Sequence, residues 1–188
     1  MENEQQMKIF VSDLPKRAAN KNFIVSFFSD CGKIDPNGIT IYQNKYQQDD
    51  SSHNFSAFVT FKTKEEAMKA KTKYNYYKID DVPIQIILSD DETRRIRQSG
   101  RGFVNISTID SSIDEKQLDN MLSIYGEIIY LKINRKYQNA YVQFRTTENI
   151  MKIKRDFEGK IINGKEISIR YFKNNDHNSF EFITTCYI

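Results

Sequence analysis

The sequence predicts an α+β chain of two successive βαββαβ domains, each a four-stranded antiparallel sheet backed by two helices. Three observations carry this. The same order of strand and helix signals occurs twice, offset by about 94 residues, the mark of a duplicated domain rather than of a short-period solenoid. Strand segments alternate apolar and polar residues with a period of two. Helix segments carry apolar stripes at helical spacing. The predicted boundaries are 7–89 for the first domain, 90–102 for a linker, 103–172 for the second domain and 173–188 for a tail.

In the first half, KIFVSDL (8–14) reads as a strand. A helix over about 20–30 follows, with Phe23, Phe27 and Phe28 among its apolar positions and Gly32 beyond its end. A second strand is expected at 39–42, then a long polar loop, QNKYQQDDSSHN. The third strand, 56–61, puts Ala57, Val59 and Phe61 on one face and Ser56, Phe58 and Thr60 on the other. A helix over 64–74 carries Ala67, Ala70 and Tyr74 on one stripe. The last strand is PIQIIL (83–88), with proline confined to its start.

The second half repeats the pattern. Strands are expected at 103–107, 128–133, 139–144 and 166–172, and helices at 115–124 and 148–157. Asp114 is a suitable N-cap, and Leu118, Met121 and Leu122 form an apolar stripe. Tyr125-Gly126-Glu127 and Asn163-Gly164 mark turns. Two helices crossing one face of such a sheet make a two-layer, ferredoxin-like domain whose other sheet face stays free to bind. The linker, DDETRRIRQSGRG, reads as polar and disordered in the free chain. The tail, KNNDHNSFEFITTCYI, is compatible with a short extra strand or a loose end.

Composition narrows the function. Thirteen Phe and eleven Tyr with no Trp favour strands. The formal net charge is +3, and basic and acidic residues balance in each segment: 12 against 11 in 1–89, four against three in 90–102, and 12 against 11 in 103–188. A duplex-DNA coat built on many phosphate contacts is therefore not expected. A single-strand binder that relies on stacking tolerates this balance. Cys31 and Cys186 make neither a metal spacing nor a disulfide framework, and a reducing compartment is the natural reading. The polar start MENEQQMK is unlike a signal peptide, and no apolar run reaches the roughly 20 residues of a membrane span. His53 and His177 stand alone in loops, and no motif points to an enzyme, a metal or a cofactor.

The first half resembles an RNA recognition motif. The first-strand signature of that family, aliphatic-aromatic-aliphatic-x-x-Leu, is met by Ile9-Phe10-Val11-Ser12-Asp13-Leu14. Its third-strand signature falls on Asn54-Phe55-Ser56-Ala57-Phe58-Val59-Thr60-Phe61. Phe58 holds one aromatic position; Ser56 stands at the other, and Asn54 stands where a basic residue is usual. The second half departs further. Asn105 takes the aromatic position of Val104-Asn105-Ile106-Ser107-Thr108-Ile109. In Tyr137-Gln138-Asn139-Ala140-Tyr141-Val142-Gln143-Phe144, only Tyr141 remains as a platform, with Asn139 at the other stacking position. Arg135 and Lys136 precede it as substitutes for the basic anchor, and Tyr137 is a further stacking candidate.

The pair is similar to the first two such domains of cytoplasmic poly(A)-binding proteins. Arg97-Gln98-Ser99-Gly100, a strand, and Asp110-Ser111-Ser112-Ile113-Asp114 resemble that family's basic linker and helix approach. The run from Phe157 through Asn163-Gly164-Lys165 resembles its segment before the last strand. The resemblance covers 8–172 and implies binding of adenine-rich single-stranded RNA, in mRNA metabolism or translation, by a cytoplasmic or nuclear chain that is monomeric when free and engages no membrane. It implies base stacking on Phe10, Phe58 and Tyr141, amide contacts from Asn105, Asn139 and Gln143, a position for Ser56 on the same face, and phosphate or stacking contacts from Arg94, Arg95, Arg97 and Arg101. The alternative is a protein-interaction module for translation-initiation or mRNA-processing proteins. It would use the helical side of the second domain at Lys116, Asp119, Asn120, Lys152 and Arg155.

Overall fold

The computed structural model describes residues 6–44 and 54–171. Much of the expected 43–54 loop, His53, Phe172, the 173–188 tail, His177 and Cys186 lie outside the described residues. The chain forms two compact units that divide between Asp91 and Glu92.

Unit 1 contains β1 (Met7–Leu14), α1 (Lys21–Phe27), β2 (Ile39–Gln43), β3 (Phe55–Phe61), α2 (Lys64–Tyr74), a small hairpin of β4 (Lys78–Ile79) and β5 (Val82–Pro83), and β6 (Gln85–Leu88). The sheet order is β2-β3-β1-β6, with every pair antiparallel. The alternation read from sequence is the alternation observed. Ile9, Val11, Ala57, Val59 and Phe61 face the core with Ile24 and Phe28 of the first helical segment and Ala67 and Ala70 of α2. Phe23 and Phe27 pack against that core and are themselves only partly buried. Helix α1 starts where the Asn20 side chain accepts from the Phe23 amide. It stops at Phe27, three residues short of the expected end. Helix α2 opens with a capping box between Thr63 and Glu66, which satisfies amides at the helix start from both sides.

The two helices are tied at one end by Asp30. Its carboxylate accepts from Tyr74 Oη at 2.8 Å and from the Lys73 ammonium. Beside this tie, Tyr74 packs against Phe27 and Phe28.

Unit 2 contains most of α3 (Asp91–Ser99), then β7 (Phe103–Ser107), α4 (Glu115–Leu122), β8 (Ile128–Asn134), β9 (Asn139–Phe144), α5 (Ile150–Phe157), a hairpin of β10 (Ile161–Ile162) and β11 (Lys165–Glu166), and β12 (Ser168–Tyr171). The sheet order is β12-β7-β9-β8, the same topology as unit 1. Its inner face holds Val104, Ile106, Leu131, Ile133, Ala140, Val142 and Ile169, all buried, as are Leu118, Leu122, Ile153 and Phe157 from the helices. Asp114 caps α4 through the Gln117 amide, as its position in the sequence suggests. The two units share one further detail. Asp13 and Thr108, near the ends of their first strands, both adopt positive φ, at 60° and 63°.

The linker differs from its sequence reading. Residues 91–99 form helix α3 rather than an open segment. Gly102 joins α3 to the sheet at φ +77°, and a Cβ there would stand 2.4 Å from the Phe144 carbonyl oxygen, so only glycine fits this approach. No described helix is long and apolar enough to cross a membrane. The described residues contain no cluster of three or more His, Cys, Asp or Glu able to hold a metal.

The Asp30 tie has a pH signature. Hydrogen bonds from Lys73 and Tyr74 lower its carboxyl from 3.8 to about 2. A carboxylate whose folded pKa is depressed stabilises the fold above its unfolded value and loses that contribution as pH falls through the folded one. The stability advantage of the parent over Asp30→Asn is therefore expected in full above about pH 5, shrinking between about pH 4 and 2 in denaturant titrations across that range.

Candidate nucleic-acid interface

In unit 1 the sheet face away from the helices carries Phe10 on β1, Ser56 and Phe58 on β3, Thr40 and Tyr42 on β2, and Gln85 and Ile87 on β6. Register brings the two expected platforms together. Phe10 and Phe58 are direct cross-strand partners, with ring centroids 5.0 Å apart and planes inclined at 51°. Both are half-buried. Ser56 is different: it is 1% exposed, and its Oγ accepts from Asn44 Nδ2 at 3.1 Å. Tyr42, not singled out by the sequence, stands directly across from Ser56 and sets its ring edge-on to Phe58 at 5.9 Å and 88°.

In unit 2 the same face divides into two halves. The first holds Asn105 and Lys132, both paired with Tyr141, together with Asn139 and Arg170. Tyr141 is half-buried, and Asn139 Nδ2 lies 3.4 Å from its hydroxyl. Asn105 Oδ1 accepts from Ser107 Oγ at 3.2 Å. This half keeps one aromatic among amides and two cations.

The second half, Phe103, Tyr130 and Gln143, lies under α3. Gln143 is 0% exposed, and its Nε2 donates to the backbone carbonyls of Ile96 and Arg101, both at 2.9 Å. The Arg97 guanidinium lies over the Tyr130 ring, 4.7 Å from its centroid. Tyr130 in turn packs edge-on against Phe103 at 6.1 Å. Arg145 adds a clamp: it donates to Glu92 at 3.0 Å, to Thr93 Oγ1 at 3.1 Å and to Glu127 at 2.6 Å. The amide expected of Gln143 is thus spent on the linker, and the Arg97 guanidinium lies over this chain's own tyrosine. Arg94, Arg95 and Arg101 are exposed along the linker.

Other expected residues fall as follows. Arg135 reaches back to the start of α4, donating to the Ile113 carbonyl and to Glu115 Oε2 at 3.1 Å, so it braces a helix rather than the sheet face. Tyr137 is exposed beside Lys136. On the helical side, Lys116 and Asn120 are exposed and Asp119 is half-buried on α4. On α5, Lys152 lies over the Tyr125 ring at 5.8 Å and Arg155 bonds Asp156 at 3.1 Å. Sequence reasoning passed over Tyr130 and Lys132, although the period of two in IIYLKI already places both opposite to Ile129, Leu131 and Ile133.

Two four-stranded sheets of this topology, each backed on one face by two helices, define a tandem pair of ferredoxin-like domains. The family model for the RNA recognition motif matches residues 9–85 and 104–168, and the chain belongs to that family. Polyadenylate-binding protein 5 of Arabidopsis thaliana is 33% identical over 121 residues, 62% of this chain and 18% of the relative. The polyadenylate-binding protein, cytoplasmic and nuclear, of Encephalitozoon cuniculi (strain GB-M1) is 22% identical across 99% of this chain and 37% of its own length. The chain thus spans well under half of these relatives. Among solved structures, a chain of the ternary complex of Rna15, Hrp1 and anchor RNA matches with a TM-score of 0.58 at 14% identity, over 89% of this chain and 97% of that one. The RNA-binding domain of Hrp1 in complex with RNA gives 0.52 at 14% identity, over 88% and 96%. Both likenesses support the fold.

The α3 contacts make a direct prediction. Gln143→Ala removes both bonds to the linker, each worth about 1 kcal/mol. Amide exchange across α3 is expected to accelerate roughly 5- to 30-fold, with exchange in β7 and β9 much less affected.

Proposed function

We propose that the chain binds single-stranded RNA, adenine-rich mRNA sequence above all, through the sheet faces of its two units. The observation that carries this reading is the Phe10–Phe58 pair: two adjacent rings, half-buried on a sheet face that no described helix covers. Aromatic rings on the sheet face opposite the core offer flat surface on which a base can stack. Every base has a face to stack, and each stacked base is worth roughly 1–3 kcal/mol. The near-balanced charge favours this route over phosphate neutralisation. The names of the two relatives support adenine as the base, and Asn105 and Asn139 beside Tyr141 supply the amide chemistry that suits adenine edges. In this reading unit 1 provides most of the stacking, while unit 2 contributes Tyr141, its amides, Lys132 and Arg170. The exposed Arg94, Arg95 and Arg101 meet phosphates, and Ser56 supports the face without touching RNA. The chain works in mRNA metabolism, in the cytoplasm or nucleus.

A second reading has one observation in its favour. Ile124 and Met151 stand 76% and 62% exposed on the helical side of unit 2. With Lys116, Asp119 and Asn120 on α4, which Ile124 follows, and Lys152 and Arg155 on α5 with Met151, they suit a protein of a translation or mRNA-processing complex. Amide-shift mapping on the full chain separates the readings, because RNA shifts β7–β9 resonances and a helical-side partner shifts those of α4 and α5.

The doubly substituted Phe10→Ala, Phe58→Ala chain tests the first reading. It is expected to keep its fold by circular dichroism and to lose roughly 100-fold or more in affinity for adenine oligonucleotides in anisotropy titrations. A folded double variant that binds as tightly as the parent contradicts stacking on this face.

A further inference from the structure

We infer that Tyr42 is a third stacking platform of unit 1, supplied by β2 in place of the aromatic that β3 lacks at Ser56. This rests on the reading of the unit 1 sheet as an RNA face.

Tyr42 and Ser56 are direct partners across the β2–β3 ladder. Side chains of directly paired residues share one sheet face and stand about 5 Å apart at Cβ. A short side chain at one member of such a pair leaves room for a large one at the other. Ser56 is closed off under its bond from Asn44, whereas Tyr42 keeps 48% of its surface open. The serine therefore offers a ligand nothing, and the tyrosine across from it offers a ring.

The ring is held in place. Its edge-on contact with Phe58 at 5.9 Å and 88° is the geometry in which the positive edge of one ring meets the negative face of another. Phe58 contacts Phe10 at 5.0 Å in turn. Three aromatic side chains thus run across three adjacent strands in the order β1, β3, β2. A core role does not account for Tyr42, since it lies opposite in phase to Ile41, which packs against the unit 1 core. The row lengthens the stacking surface toward the β2 edge of the sheet by one base. The phenol ring carries the interaction, and the hydroxyl is dispensable.

The test measures affinity of the full chain for adenine oligonucleotides of three to eight nucleotides by competition, with Tyr42→Ala, Tyr42→Leu and Tyr42→Phe beside the Phe10→Ala, Phe58→Ala control. Tyr42→Leu keeps apolar bulk against Phe58 and removes the ring, so it guards against loss through misfolding of an edge strand. Expected is a roughly 5- to 100-fold loss for Tyr42→Ala and Tyr42→Leu on the longest oligonucleotides, little loss on the shortest, and near-parental binding by Tyr42→Phe. The inference is overturned if Tyr42→Leu binds the long oligonucleotides like the parent. It is also overturned if the loss is equal at every length, since Tyr42 would then only position Phe58. Loss of binding in the control with none in the Tyr42 variants leaves the RNA face standing and removes only this platform. Undiminished binding in the control removes both.

Discussion

A β-strand turns successive side chains to opposite faces, and in unit 1 α1 and α2 pack against only one of them. In unit 1 that asymmetry sets the rest. Ile9, Val11, Ala57 and Val59 must face α1 and α2, and a slip of one residue in register would turn all of them outward. The same register that buries them puts Phe10 opposite Phe58 and Tyr42 opposite Ser56 on the other face. The proposed binding surface is thus a by-product of core packing, held as firmly as the core itself. A site built on strands in this way is already organised before a ligand arrives, which lowers the ordering cost of binding.

Unit 2 has the same topology and uses its face differently. Half of it is taken by the segment that precedes it in the chain. Gln143 and Arg145 hold α3 through its backbone and side chains, and Arg97 occupies the Tyr130 ring much as a flat ligand would. The remaining half is richer in amides and cations than in rings. In the proposed RNA-binding role, one unit would offer stacking area and the other polar contacts next to a single tyrosine.

Much of this was legible in the sequence, and the reasons for the remainder are physical. The family signatures singled out Phe10, Phe58 and Tyr141, and strand alternation placed Phe58 and Tyr141 opposite in phase to their apolar neighbours, because a period of two is local and strong over five to seven residues. Asp114 was legible as a cap for the same local reason. Helix α3 was not. Its sequence is charged and ends at glycine, and the contacts that hold it come from residues 42 to 53 positions away. Local propensity is a weak guide when tertiary contacts supply the stability of so short a helix. The fate of Gln143 was hidden with it, because alternation shows which face a residue occupies and not what covers that face. Tyr42 was missed because a motif centred on two strands directs attention away from the third, and its role depends on register with Ser56.

The central claim is that bases stacked on aromatic rings, rather than phosphates neutralised by cations, carry RNA affinity. The salt dependence of binding to an adenine oligonucleotide tests this most directly. For single strands the logarithm of affinity falls with the logarithm of salt by about 0.7 for each phosphate contact. The account predicts measurable binding with a slope no steeper than about −2, consistent with a chain of net charge +3 spread evenly along its length. A slope of about −4 or steeper, with affinity vanishing at physiological salt, would contradict it.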